Sequence, residues 1–214
     1  METDQYLRPT RFIDSNHPDV LEFTQKTIGT ITDLHEKAKV LYLAVRDQIL
    51  YDPYHLVLDE SLISASQTLH RGRGYCIEKS LLLAAAGRAA GIPSRLGFSI
   101  VKNHLAADKF VEMLRTDKFV FHGYNEFLLE GKWVKCTPAF NRSLCEKFDT
   151  QPLEFDGYHD SVFQQYSADG QQYMEYLHEY GQFDDLPCEL FFSEIRAYYP
   201  HLFENGKIAF VEHP

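Results

Sequence analysis

The chain has 214 residues, of which 44% are hydrophobic and 24% charged, and this composition indicates a folded globular protein rather than a fibrous or disordered one. The net charge is −10, and residues 148–195 contain eleven Asp and Glu but no Lys or Arg, so nucleic-acid binding is not expected. No run of about 18 apolar residues is present, so we expect no membrane partner. The acidic stretch is interpreted as a solvated face, with an acidic rim that attracts cationic substrates as the alternative.

The first half of the chain predicts three helices. The first is expected over 18–27 and the second over 33–52, where apolar residues recur every three or four positions and one stripe faces a core. The polar stretch 64–74 is interpreted as a connection. The most regular helix is predicted over 75–90, because this segment is rich in Ala and Leu and is followed by a glycine and a proline.

The middle of the chain predicts an antiparallel sheet. A short strand is expected over 95–101, followed by a hairpin whose strands, 118–129 and 132–140, flank a two-residue turn. This turn pairs Asn125 with Cys136, so one face of the hairpin is apolar and the other polar. Helices that precede an antiparallel sheet favour the α+β class over a parallel α/β fold.

Residues after 141 form an aromatic and acidic extension. Its pattern predicts two helices and a closing strand, at 169–180, 187–199 and 207–212. The extension has too much apolar surface to remain disordered. We therefore expect a single domain over 1–214, with a core of about 12–141 and an extension, 142–214, packed on that core. Residues 156–160 are expected to lie near the hairpin.

Cys76 has two features of a nucleophilic thiol. It lies in the first turn of the helix predicted over 75–90, where unpaired backbone N–H groups and the helix dipole favour the thiolate. Gly72 and Gly74 precede it and allow the backbone to approach a substrate. The alternative is a small buried thiol without chemistry.

The other cysteines and the histidines predict no further chemistry. Cys136 falls on the apolar face of the hairpin and is interpreted as a core thiol, and Cys145 and Cys188 are interpreted as structural. The ten histidines show neither HExxH nor a Cys/His zinc spacing, so a metal site is disfavoured, and we expect no cofactor. The absence of a CxxC pair and of a secretory-signal pattern indicates reduced thiols and a cytoplasmic location.

His122 is the candidate general base. It lies on the polar face of the predicted hairpin, where Thr137 is its diagonal neighbour. An imidazole in this position could accept the proton of a thiol. The alternative is a surface histidine in an ordinary strand.

Two segments, GRGYCIEKSLLLAAAGRAAGIPSR and HGYNEFLLEGKWVKCTPAF, resemble the transglutaminase-like superfamily, in particular its bacterial members of the cysteine protease type. The resemblance covers roughly residues 12–141. It implies a papain-like core in which N-terminal helices and a cysteine-bearing helix pack on an antiparallel sheet. It also implies a Cys-His-Asp triad, in which Cys76 matches the nucleophile and His122 the base.

The third triad position departs from the family pattern. Where the family has Asp, this chain has Thr137, whose hydroxyl can orient an imidazole but cannot stabilise an imidazolium ion. Asn141, Asp156 and Asp160 remain alternatives as the orienting group. The backbone N–H of Cys76 is an expected oxyanion donor. The sequence leaves the second donor open among Ser66, Gln67 and His70.

These residues together predict a thiol enzyme that acts on an amide or peptide bond. Cys76 attacks the carbonyl carbon, His122 carries the proton, and an acyl-thioester forms. Water as the acceptor makes the protein a hydrolase, which we favour, and an amine makes it an acyl transferase. The expected partner is a peptide, protein or small-amide substrate. The alternative is a non-catalytic binding or scaffold domain, which the replacement of the triad Asp by Thr137 supports.

Overall fold

The computed structural model describes residues 3–104, 108–162 and 174–206. Its helices are α1 Pro18–Ile28, α2 Leu34–Gln48, α3 Ala65–Arg71, α4 Cys76–Ala89, α5 Asp108–Leu114, α6 Arg142–Lys147 and α7 Cys188–Tyr198. Its strands are β1 Leu50–Tyr51, β2 Arg73–Gly74, β3 Ser94–Asn103, β4 Lys118–Leu129, β5 Lys132–Cys136 and β6 Met174–Phe183. The last four form one antiparallel sheet in the order β5-β4-β3-β6, which confirms the α+β class. No helix in the described ranges is long and apolar enough to cross a membrane.

Helix α1 lies close to its predicted bounds, whereas α2 begins as predicted but ends at Gln48 rather than at residue 52, because Leu50–Tyr51 pairs with β2 as strand β1. The His17 ring accepts a hydrogen bond from the N–H of Asp19 at the start of α1, and Gly29, with a φ of +52°, ends that helix. The Asp33 carboxylate accepts from the N–H of Glu36 at 2.8 Å and begins α2. These local contacts mark the start of both helices and the end of α1.

The stretch 64–74 is more ordered than its polar composition suggests. Ser64 accepts from the N–H of Gln67 at 3.2 Å and begins α3, whose residues Ala65 and Thr68 are buried. A helix of seven residues shows too little periodicity to be recognised from sequence, so the prediction of a plain connection was wrong.

Helix α4 lies at the centre of the molecule and is buried from Cys76 to Arg88. It packs against α1, α2 and α3 on one side and against β3 and β4 on the other. All faces of this helix are therefore covered by other elements. Two of its charged side chains, Lys79 and Arg88, bind backbone oxygens: Lys79 Nζ donates to the carbonyls of Arg46 and Ile49 at 2.8 and 2.6 Å.

The hairpin has the predicted register, with Asn125 opposite Cys136. Strand β5 ends at Cys136 rather than at residue 140, because Cys136 then forms a parallel bridge with Ser161. The Asp160 carboxylate accepts from the N–H of Lys135 at 2.9 Å. The segment around Asp160 therefore lies against the hairpin.

The second face of the hairpin carries the polar residues that the sequence predicts, but it is buried. His122, Tyr124 and Glu126 are all buried there. Glu126 forms an ion pair with Arg95, and the Tyr124 hydroxyl donates to Glu179 of β6 at 3.2 Å. Neighbouring strands thus supply polar partners that stabilise the buried side chains of Tyr124 and Glu126.

In the extension, the helix predicted at 169–180 was wrong over its described part, where Met174–Phe183 is the strand β6. This segment pairs with the otherwise free edge of β3, and its aromatic residues suit a pleated surface. The helix predicted at 187–199 is present as α7. The closing strand predicted at 207–212 lies outside the described residues.

Candidate active site

The start of α4 holds Cys76 in a fixed position. The Glu78 carboxylate accepts from the N–H of Tyr75 at 3.2 Å and forms an ion pair with Arg71 of α3. This contact is half of a capping box, in which a side chain of the first turn accepts a hydrogen bond from the backbone N–H of the residue that precedes the helix. The loop that presents Cys76 is therefore held from two sides.

The Cys76 thiol lies between the helix start and strand β4. Burial raises its pKa to about 11, against the opposing effect of hydrogen bonds from the backbone N–H groups of Gly123, Ile77 and Cys76 itself. The side chain is 9% exposed. These N–H groups, from the helix start and from β4, favour the thiolate, but burial outweighs them in the resting state.

Gly123 lets β4 come close to the thiol. A Cβ at this position would lie 3.2 Å from the Cα of Ile77 and 3.5 Å from the carbonyl oxygen of Cys76. Sequence reasoning did not single out Gly123 as a backbone donor to the sulfur. The signal was its place directly after the candidate base.

His122 precedes Gly123 on β4, next to an irregularity of the sheet. The pairing of β3 with β4 shifts register between Ser99 and Val101, and Phe121 has a φ of +59°. His122 is buried, and burial lowers its pKa to about 4. Its imidazole is therefore neutral at pH 7, the form that can accept a proton.

Cys76 and His122 line the same cavity, which has a volume of about 580 Å³. Helix α7 contributes Phe191 and Ile195 to its wall, and Tyr199 follows them. These three residues recur every four positions, which is a helical spacing. The spacing is visible in the sequence, but the sequence does not connect it with the site. The extension thus forms part of the cavity that contains the candidate nucleophile.

The candidate orienting residues lie outside the lining of this cavity. Thr137 is buried, and its hydroxyl has no hydrogen-bond partner within the described part of the chain. Asn141 accepts from the N–H of Tyr51 at 2.9 Å and donates to Ser143. Asp156 accepts from the N–H groups of Tyr158 and His159 in its own turn. Asp160 binds the backbone of β5 instead.

The three candidates for the second oxyanion donor all belong to α3 and are also absent from the lining that the described residues form. Ser66 is buried, and its N–H donates to Asp14 at 3.0 Å. Gln67 and His70 are exposed. In the described ranges, no three His, Cys, Asp or Glu side chains come together as metal ligands would.

A family model described as the transglutaminase-like superfamily matches residues 22–138, more than half of the chain. The chain belongs to this superfamily. The match includes α4 with Cys76, the whole β4–β5 hairpin with His122, and Thr137. It ends before α6, so β6 and α7 lie beyond the part that the superfamily model describes.

One solved structure agrees with the superfamily fold, and a second is a weaker match. The crystal structure of a putative cysteine protease from Cytophaga hutchinsonii matches with a TM-score of 0.52 and 17% identity, over 86% of this chain and 47% of that one. A putative protease from Parabacteroides distasonis matches with a TM-score of 0.42 and 17% identity, over 63% of this chain and 25% of that one. The chain therefore spans about half or less of these proteins. No curated protein matches the sequence.

Proposed function

We propose that the protein is a thiol-dependent hydrolase of amide or peptide bonds. The observation that carries this proposal is the shared cavity, in which the Cys76 thiol, with backbone donors around its sulfur, and the His122 imidazole both contribute to the wall. Membership of the superfamily supports the same roles for the two residues. The Cytophaga hutchinsonii protein, which shares the fold, is described as a putative cysteine protease.

The pKa shifts favour a mechanism in which the proton moves as the sulfur attacks. A thiol with a pKa near 11 and an imidazole with a pKa near 4 are both neutral at pH 7. His122 takes the thiol proton while Cys76 bonds to the carbonyl carbon, and the N–H of Cys76 or Gly123 stabilises the oxyanion. The C–N bond then breaks, and His122 returns the proton to the leaving amine.

The second half of the reaction regenerates the thiol. Water attacks the acyl-thioester carbon, giving a proton to His122, and the C–S bond breaks to release a carboxylic acid. The sulfur recovers the proton from His122. An amine in place of water would give acyl transfer by the same steps. The substrate is accordingly a peptide, a protein or a small amide.

A non-catalytic binding domain is the second candidate. It is favoured by the raised pKa of the Cys76 thiol and by Thr137 at the position where the superfamily has Asp. In this case the cavity would hold a ligand without cleaving it. Cys76 and His122 would then be packing residues.

The two candidates are separated by trapping the acyl-enzyme. The protein is mixed with an activated ester, and intact mass spectrometry measures acyl addition and its position. We expect one acyl group on Cys76, no addition in Cys76→Ala, and at least tenfold slower addition in His122→Ala. Cys136→Ala is the matched control: it removes a buried thiol outside the cavity, so acylation should persist although stability falls. Equal acylation of Cys76→Ala would overturn the proposal.

A further inference from the structure

We infer that the cavity binds a bulky apolar acyl group, so that the substrate is an amide, ester or thioester of an apolar carboxylic acid. The inference rests on the proposed function and specifies its substrate class. A volume of about 580 Å³ lies within the range of about 300–1,000 Å³ that holds a drug-sized ligand. A cavity of this size is far larger than an acetyl group requires.

The wall of the cavity is built from rings and aliphatic side chains. Phe110 and Phe119 stack with their ring centroids 5.0 Å apart, and Tyr51 and Phe140 meet edge to face at 4.8 Å. The aliphatic part of the wall includes Leu56, Val101, Leu114, Leu144 and Ile195. Such a wall stabilises an occupant through burial of apolar surface.

Two polar side chains of the lining, Asp52 and Tyr199, form hydrogen bonds within the protein. The Asp52 carboxylate accepts from the N–H of Tyr54 and contacts the His55 ring at 2.7 Å. The Tyr199 hydroxyl accepts from the N–H of Val120 and donates to the carbonyl of Lys118, both at 2.8 Å. An extended peptide in the cavity would bury backbone amides without partners, which costs free energy. An apolar chain has no such groups.

The Tyr75 hydroxyl is positioned to bind the polar end of a ligand in the cavity. Tyr75 lines the cavity beside Cys76, is 6% exposed, and its hydroxyl has no hydrogen-bond partner within the described ranges. Buried hydroxyl groups are normally hydrogen-bonded, so this one has a free donor for a polar group of a ligand. The carbonyl of a substrate held at Cys76 supplies an acceptor, and the apolar remainder then extends along the wall. The site therefore fits a ligand with one polar end.

The inference is tested with p-nitrophenyl esters of increasing acyl length, from acetyl to octanoyl, with Cys76→Ala as the background. Each buried methylene is worth about a fourfold gain in kcat/KM at full burial. We expect kcat/KM to rise at least about a hundredfold from acetyl to octanoyl. A flat or falling series with Cys76-dependent turnover would overturn the inference while leaving the proposed function intact.

A pair of variants on α6 locates the acyl chain. Leu144→Trp places a larger side chain in the cavity wall, and we expect it to lower the octanoyl-to-acetyl ratio of kcat/KM at least tenfold. Glu146→Trp is the matched control, since Glu146 is exposed on the same helix and outside the lining, and it should leave both rates unchanged. Tyr75→Phe should lower kcat/KM by the same factor for every ester in the series, so that the octanoyl-to-acetyl ratio stays constant. A ratio unaffected by Leu144→Trp would contradict the assignment.

A binding measurement separates this inference from the proposed function if no ester reacts at Cys76. Titration of Cys76→Ala with decanoic acid is followed by calorimetry. Saturable binding that Leu144→Trp weakens and Glu146→Trp does not would support the apolar site and reject the thiol enzyme. The absence of both ester turnover and decanoate binding would overturn the inference as well.

Discussion

At the level of single residues, burial shifts the pKa values of Cys76 and His122 apart, to about 11 and about 4. Neither group is charged at pH 7, so the pair differs from a preformed thiolate and imidazolium. With a pKa near 11, roughly one thiol in ten thousand is ionised at pH 7. The reactivity of Cys76 should therefore depend on the base and on the pH.

This predicts the pH profile of Cys76 alkylation by iodoacetamide. The rate should rise about tenfold per pH unit from pH 7 to 10, because the thiolate fraction does so below the thiol pKa. His122→Ala should leave the slope of this profile unchanged, since an imidazole with a pKa near 4 carries no charge from pH 7 to 10 and so does not shift the pKa of the thiol. Peptide mass spectrometry reads the rate at Cys76, with circular dichroism to confirm the fold. A plateau that begins below pH 7 would reveal a preformed ion pair instead.

The resemblance to the superfamily implies an Asp at the position of Thr137, which lies one residue beyond the paired part of β5. Thr137→Asp should raise the pKa of His122, because a nearby negative charge stabilises imidazolium, and should raise kcat/KM at least about tenfold. NMR titration of the His122 ring and turnover of an activated ester measure the two effects. Thr137→Asn is the neutral control of similar size. Equal rates for the Asp and Asn variants would show that Thr137 does not act on His122.

At the level of secondary-structure elements, the site depends on the approach of β4 to the first turn of α4. Gly123→Ala should push these elements apart, since the new Cβ would meet backbone atoms of Ile77 and Cys76 rather than a mobile side chain. We expect a loss of about 1–3 kcal/mol in stability and at least a tenfold loss in kcat.

The control for Gly123→Ala is a glycine at the other end of α4. Gly91 has a φ of +80° and open space where a Cβ would lie, so Gly91→Ala strains the backbone without moving β4. It should lose stability and keep its kcat, as chemical denaturation and ester turnover would show. Parallel losses of kcat in both variants would mean that stability alone accounts for the effect.

The elements with strong local signals could be predicted from the sequence. Composition and glycine placement predict helix α4, and alternation predicts the register of the hairpin. These two elements carry the candidate residues Cys76 and His122. Segment 174–183 was misassigned because its pairing partner, β3, lies about 80 residues earlier in the chain. Long-range pairing of this kind leaves no local pattern.

The surroundings of the candidate site were harder to predict than its central residues. Sequence pattern identified a helix-start cysteine and a strand histidine, but not that burial would make both neutral. The cavity wall combines side chains from α5, α6 and α7, which are far apart in sequence. Periodicity shows which face of an element is apolar, but not which cavity that face lines.

At the level of the whole molecule, the extension completes both the sheet and the cavity. Strand β6 covers the edge of β3, and the ring of Phe121 on β4 contacts those of Tyr180 and Phe191 at centroid distances of 4.5 and 5.6 Å. Phe191 also lines the cavity. An appendage that folded independently would not supply core rings to β4. The stability of residues 12–141 should therefore depend on the extension.

Truncation after Asn141 tests this dependence. The shortened chain should bind more of the dye ANS and unfold without a cooperative transition, because β3 gains an open edge and Phe121 loses two aromatic neighbours. The full-length variant Leu177→Ser is the control: Leu177 is 42% exposed on β6, so its loss should change the free energy of unfolding by less than about 0.5 kcal/mol. If the truncated chain were soluble and unfolded at the full-length midpoint, residues 142–214 would be an independent appendage, and the single-domain organisation predicted from the sequence would be wrong.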